Sequence, residues 1–418
     1  MSMARSSLDE LDDNILLIIL FNLSELSLRD AVRCTVISKR WRAIFLRLSH
    51  LRFTRKNHFL DYYYFWITPR GSLEEAIDNI LARHHGPLQR FEFDSQSPLG
   101  PHEKDRHRFL PVKFIRGSQR QKICEWIECA GRHRVSELRI SAIVKDFEID
   151  IFDVPSTLFG CVSEHLKYLY LRNFVWKEMS MPIDFDGFKC LKTGHLHCVF
   201  INEDAIFERF LEQCPNLEKL KISGCDWPCP DELGPGLKNL KISGAVNLKS
   251  LSLENLQLTS LTITRSCPRL TSIKFACFKA EAFNLDSQLL SVRKINLAGV
   301  RLWNFHSYIR GKRSFACHSI HLLAKFPTIE ELIICTFHLQ GQGQELVPNE
   351  VGPALILPLM QLKKLHINTT ASLGEGDVAV ACFFLRTAPT LKIMSVKFPL
   401  HIDSADRLRF VDQILDLE

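Results

Sequence analysis

Ten units of the form Leu-x-x-Leu-x-Leu, or close to it, recur between residues 166 and 396, and they leave few architectures open. The clearest are Leu166-Leu169-Leu171, Leu217-Leu220-Ile222, Leu237-Leu240-Ile242, Leu248-Leu251-Leu253 and Leu258-Leu261-Ile263. Looser copies begin at Leu270, Val292, Ile329, Leu362 and Leu391. Leu217 to Leu237 is 20 residues, Leu237 to Leu258 is 21 and Leu248 to Leu270 is 22. A period of that length accommodates one short strand and a return segment. No single copy buries its own apolar side, so the copies must stack into a solenoid. The 11-residue offset from Leu237 to Leu248 implies that some return segments are themselves extended. Others read as helical. Asn202 stands where a cap belongs for a helix through Gln213, with Ile206, Phe207, Phe210 and Leu211 on one face and Cys214-Pro215 as its stop. Val378, Cys382 and Leu385 repeat the plan before Ala388-Pro389. Residues 339–353 are rich in Gly and Gln and read as an exposed loop.

The first fifty residues follow a different rule. Ile15 to Phe21 is an unbroken apolar run, with Leu23 beyond it and Asp12, Asp13 and Asn14 before it as cap candidates. A strand is the rival for so short a run; the unbranched Leu residues and acidic start favour a helix. Ser27, with Asp30 three residues on, marks a second helix start. Ser38 marks a third, bearing Trp41, Ile44, Phe45 and Leu48. A helix apolar on every side must be covered on every side. Periodicity alone leaves open whether a partner or the chain's own next domain does this. Charge is segregated here too. Residues 1–28 hold one Arg and five acids, whereas residues 29–56 hold nine Lys or Arg and one acid, out of a net charge of +6. The basic stretch is small and carries no nucleic-acid-binding motif, so it reads as a solvated face.

Between these regions, Tyr62 to Trp66 is an aromatic cluster, and Ser72 with Glu75 opens a helix bearing Leu73, Ile77, Ile80 and Leu81. His84-His85-Gly86-Pro87 stops it, and Leu88, Phe91 and Phe93 suggest a strand. Residues 94–122 read as a mildly basic surface insertion.

Leu11, Ile15-Leu16, Ile19-Leu20, the run Leu28 to Arg33, Val36 and the run Ser38 to Arg42 together resemble an F-box, most closely that of plant proteins. Two features depart from the pattern: Asp12 stands where proline is usual, and the connection from Phe21 to Ser27 is about three residues longer than the family's. Downstream, Leu81 to Phe93, Trp126 to Ile140, Val154 to Phe159, Phe185 to Leu196, Asp204 to Leu220 and Phe384 to Val396 resemble plant F-box/FBD/leucine-rich-repeat proteins. The resemblance implies an α/β chain with a three-helix F-box at 1–52, a connecting region at 53–135, a leucine-rich-repeat solenoid at 136–354 and terminal FBD-like repeats at 355–418. It implies the substrate-recognition subunit of an SCF-type ubiquitin ligase, which binds a Skp1-like adaptor, and through it a cullin, while its repeats hold a target protein. The adaptor-binding set would be Leu11, Ile15, Leu16, Ile19, Leu20, Leu23, Val32 and Trp41. An interaction scaffold without ubiquitin transfer is the alternative.

Catalytic, cofactor and metal chemistry find no foothold in the sequence. Cys190, His195, His197 and Cys198 match no zinc spacing, and in a strand the two His point away from Cys198. No phosphate-binding glycine loop, GxSxG or HExxH occurs. Fourteen scattered Cys and the absence of a signal or membrane-length apolar run place the chain in the cytosol or nucleus, with Cys214, Cys225, Cys267 and Cys335 as packing residues. The target surface is expected on the outward strand positions: Lys167, Tyr168 and Tyr170; Lys219 and Lys221; Asn239 and Lys241; Ser250 and Ser252; Ser260 and Thr262; Lys364 and His366. Of these, Tyr168, Tyr170, Lys219 and Lys221 are the target-binding candidates, suited to an acidic or phosphorylated segment.

Overall fold

The computed structural model describes residues 11–26, 28–54, 73–94, 118–141, 152–176, 180–201, 204–224, 239–264, 267–276, 279–285, 291–297, 323, 326–335, 359–369, 375–399 and 401–415. The chain divides into two compact units, Met1–Phe200 and Ile201–Glu418.

Three helices open the first unit: α1 (Asp13–Leu26), α2 (Leu28–Cys34) and α3 (Lys39–Phe45). Asp12 Oδ1 accepts the Asn14 amide at 2.8 Å, and Ser38, in extended backbone, accepts the Trp41 amide at 3.3 Å. Both satisfy donors that a helix start leaves open. Ser27 lies outside the described residues. Leu16, Leu20 and Ser24 are buried, one residue in four, as on a helix covered along one side. The stretch expected as a long connection after Phe21 is therefore helix as far as Leu26, because Ser24 continues the buried stripe and donates its hydroxyl to the Phe21 carbonyl at 2.8 Å. The segregated charges close on each other. Arg40 donates to Asp13 at 2.8 Å and to the Leu11 carbonyl at 2.6 Å, and Arg52 donates to Glu25 at 2.7 Å.

After the helices come β1 (His50–Thr54), α4 (Leu73–Arg83), β2 (Arg90–Asp94), α5 (Ser118–Arg132), β3 (Glu137–Ser141), β4 (Phe152–Asp153), α6 (Thr157–Cys161), β5 (Tyr168–Trp176) and β6 (Thr193–Ile201). The sheet order is β1-β2-β3-β5-β6, with β4 on β5. Its core runs rung to rung in register, Leu51 to Phe91 to Leu138 to Leu169. The described residues between 53 and 135 finish one rung, supply the next and carry the return helices α4 and α5. The 40 residues from Leu51 to Phe91 and the 47 from Phe91 to Leu138 are double the leucine-rich period, since each return contains a helix. Ring contacts thicken this core: Phe53 lies 5.9 Å from Phe91, and Phe93 lies 4.8 Å from Trp126.

The two return helices are tied by one carboxylate. Asp78 of α4 accepts the Trp126 indole N–H at 2.9 Å and the Lys122 ammonium at 2.8 Å, both from α5. Asp78→Ala leaves the indole N–H of a buried ring without its acceptor, and should cost about 1–3 kcal/mol. Asp78→Asn, which keeps an acceptor, should recover most of that loss in thermal unfolding.

The second unit has α7 (Asp204–Glu212), β7 (Lys219–Ser223), β8 (Asn239–Ile242), β9 (Ser250–Glu254), β10 (Gln257–Ile263), β11 (Ser272–Ala276), β12 (Lys279–Leu285), β13 (Lys294–Asn296), β14 (Glu331–Cys335), β15 (Lys364–Asn368), α8 (Glu375–Thr387), β16 (Ile393–Lys397) and α9 (Ser404–Leu415). One sheet runs β7-β9-β11-β13-β14-β15-β16, all parallel. The extended returns implied by the 11-residue offset are β8, β10 and β12, which form a second parallel sheet in the order β12-β10-β8. Asn239, Lys241, Ser260 and Thr262 therefore do not share a face with Lys219 and Lys221; they lie on this second sheet. The turn between the sheets uses positive φ at Asn255 (+50°), as Asn173 (+63°) does within β5, and asparagine tolerates that region well.

Candidate functional site

The N-terminal helices sort the expected adaptor-binding set into two groups. Leu16, Leu20 and Trp41 are closed inside the chain's own core and present no surface to a partner. Leu11, Ile19, Leu23 and Val32 are half-buried, and Ile15 is exposed. Four exposed residues were not in that set: Ile18, Leu26, Val36 and Ile37, with relative exposures of 59%, 75%, 79% and 52%. On α1, Ile15, Ile18 and Leu26 form one stripe through Asn22, opposite the buried stripe Leu16, Leu20 and Ser24. The signal was present in the sequence as two interleaved helical spacings. An unbroken apolar run hides which of the two faces inward.

Glu25 fastens these helices to the sheet. It takes Arg52 of β1 at 2.7 Å and lies 3.2 Å from His50 Nδ1, while the Phe21 ring sits 4.9 Å from the His50 ring. Arg52 also donates to Glu92 of β2 at 3.0 Å.

The outward face of the first unit is a braced surface. Arg90 donates to Glu137 at 2.7 Å, and the Arg139 guanidinium lies 4.4 Å from the Tyr168 ring centroid. Tyr170 packs edge-on against His195 at 4.7 Å, and burial pushes its phenol up to about 12. Both tyrosines are half-buried. Lys219 and Lys221 belong to the other unit, on β7. Lys219 is exposed, and Lys221 pairs with Glu254 at 2.7 Å. Glu254 also takes Lys274 at 2.7 Å; against the upward push of burial, the two lysines hold its carboxyl down to about 2.

His195 and His197 are half-buried, while Leu196 and Cys198 between and beside them are buried, as strand alternation requires. Among the described residues no group of three His, Cys, Asp or Glu is placed to hold a metal ion. His84 is buried, and that burial, with His133 and His85 beside it, pushes its imidazole down to about 4. Cys214 and Cys267 are buried beside repeat strands; Cys225 lies outside the described residues. No described helix is long and apolar enough to cross a membrane.

The family model for the leucine-rich-repeat domain of the At1g61320/AtMIF1 type matches residues 107–408. Similar Arabidopsis thaliana proteins include the F-box/FBD/LRR-repeat protein At1g13570, 27% identical over 56% of this chain and 48% of its own length. The FBD-associated F-box protein At5g53635 is 26% identical over 66% of this chain and 51% of its own. The F-box/FBD/LRR-repeat protein At4g03220 is 24% identical over 93% of this chain and 72% of its own. Against the first two, the chain spans about half the relative's length.

Proposed function

The chain belongs to the plant F-box/FBD/leucine-rich-repeat family, and on that premise we propose that it is the substrate-recognition subunit of an SCF-type ubiquitin ligase. Helices α1 to α3 are its F-box, a Skp1-like adaptor covers them and joins them to a cullin, and the repeats hold a target protein. The receptor itself does no bond chemistry. It raises the effective concentration of a target lysine near the transferring enzyme, as any tether does. Tyr168 and Tyr170 on the first unit, and Lys219 and Lys221 on the second, are the target-facing residues.

One observation supports the reading above all: α1 buries one stripe in its own unit and leaves the opposite apolar stripe, Ile15, Ile18 and Leu26, to solvent. Exposed apolar stripes of this kind mark helix-mediated association. The test uses the full chain with a purified Skp1-like adaptor. Ile15→Asp with Ile18→Asp should abolish co-purification of adaptor and cullin while leaving the thermal midpoint in place, because neither side chain is in the core. Undiminished recovery of the adaptor by this variant would refute the assignment. Adaptor without cullin would instead indicate a scaffold outside ubiquitin transfer.

A further inference from the structure

We propose that the outward face of the long sheet in the second unit binds an extended Asp/Glu-rich protein segment. The inference rests on the reading above only in taking that segment to be part of a target.

The argument begins with donors and acceptors. Six lysines face outward on this sheet among the described residues: Lys219, Lys221, Lys274, Lys294, Lys364 and Lys397. The outward carboxylates on the same rungs are Glu254 and Glu331. Both are already engaged. Glu254 accepts Lys221, Lys274 and the Ser252 hydroxyl, and Glu331 accepts Lys294 at 2.5 Å with His366 Nε2 at 3.7 Å. Lys219, Lys364 and Lys397 have no carboxylate within ion-pair reach among the described residues. Between the lysines lie Ser250, Ser252, Ser272 and Ser395, together with Asn296, Ile333, His366 and Ile393. A surface rich in N–H donors, with its own carboxylates already paired, is complementary to a ligand rich in carboxylates.

The chemistry of the cations narrows the ligand. They are lysines, point charges that impose no fixed pairing geometry on an anion. They are also spread over the sheet rather than gathered, which fits carboxylates in series better than one phosphate. Phe, Tyr and Trp are absent from the outward positions of these strands among the described residues, so no base-stacking platform accompanies the charge. That favours a polypeptide over single-stranded nucleic acid.

Geometry sets the length. Seven strands about 4.8 Å apart place the outermost lysines, on β7 and β16, roughly 29 Å from each other. About nine residues of extended chain cover that span. Lys221 and Lys274 are two strands apart, near 10 Å, which is the reach of about three residues of extended chain.

The probe is a fluorescein-labelled nine-residue peptide of alternating Glu and Ser, with a Gln/Ser twin and a single-stranded RNA as comparisons, all against the full chain. The Glu peptide should bind, weaken as salt rises, and bind at least about tenfold tighter than its twin. Lys219→Glu with Lys364→Glu and Lys397→Glu breaks no ion pair among the described residues, and should weaken Glu-peptide binding by at least about tenfold at an unchanged thermal midpoint. Should that variant unfold, acetylation of the wild type decides instead: bound peptide should protect Lys219, Lys274, Lys364 and Lys397. Equal binding of the Gln twin, wild-type affinity in a folded triple variant, or no lysine protection overturns the proposal. Tighter binding of RNA replaces it with a nucleic-acid surface. The Ile15→Asp, Ile18→Asp variant must bind the peptide as the wild type does, so loss of adaptor binding and loss of peptide binding are read separately.

Discussion

Leu20→Asp should unfold the three N-terminal helices. Leu20 is fully buried, on the inner stripe of Leu16, Leu20 and Ser24. Burying an unpaired charge costs several kcal/mol or more, against a whole-domain stability of about 5–15 kcal/mol. Limited proteolysis should then cut within α1 to α3, far-UV helix signal should fall, and any adaptor binding should vanish with them. The same holds for Leu16→Asp. Loss of binding in either variant therefore reports on folding, whereas the exposed Ile15 and Ile18 test the proposed contact. A Leu20→Asp chain as protease-resistant as the wild type would show that the inner stripe has been misplaced.

Gly224→Ala should be the most damaging of the conservative changes in the second unit. A Cβ there would stand 1.8 Å from the Asn255 carbonyl oxygen and 2.9 Å from its carbon. Both are backbone atoms, so no side chain can swing away. The Gly224 amide meanwhile donates to the Glu254 carbonyl at 2.8 Å, which holds the two rungs at that separation. Relief requires β7 or the turn after β9 to move and that hydrogen bond to break, at about 3 kcal/mol or more. Gly160 provides the control, since a Cβ there meets nothing within 4 Å. Gly160→Ala should be neutral or slightly stabilising in the same melt. Equal midpoints for the two variants would refute the close approach.

Much of the repeat architecture was legible because each unit writes its inward residues as Leu or Ile at fixed spacing. The extended returns β8, β10 and β12 were foreshadowed by the 11-residue offset. Their assignment to a separate sheet was not, because Leu237-Leu240-Ile242 has the same spelling as a rung of the main one. The early rungs were hidden differently. Phe53, Phe91 and Phe93 replace leucine, and helical returns stretch the spacing past any leucine-rich period. The polarity of α1 was illegible because apolar residues occupy both of its faces. Tyr168 and Tyr170 were legible as outward, but not as braced by Arg139 and His195, which lie on neighbouring strands.

The fastening of α1 to β1 and β2 through Glu25, Arg52 and Glu92 makes the N-terminal helices a mount for the first unit. Only residues 46–49 separate α3 from β1, so there is little slack to absorb a misalignment. Five rungs at about 4.8 Å carry the sheet roughly 19 Å from that mount, and a tilt of about 10° at Arg52 would move the far rung by about 3 Å. That displacement is the size of a hydrogen bond. Aim along the unit therefore depends on the Arg52 guanidinium together with the Glu25–His50 and Phe21–His50 contacts, and Arg52→Ala should spread it.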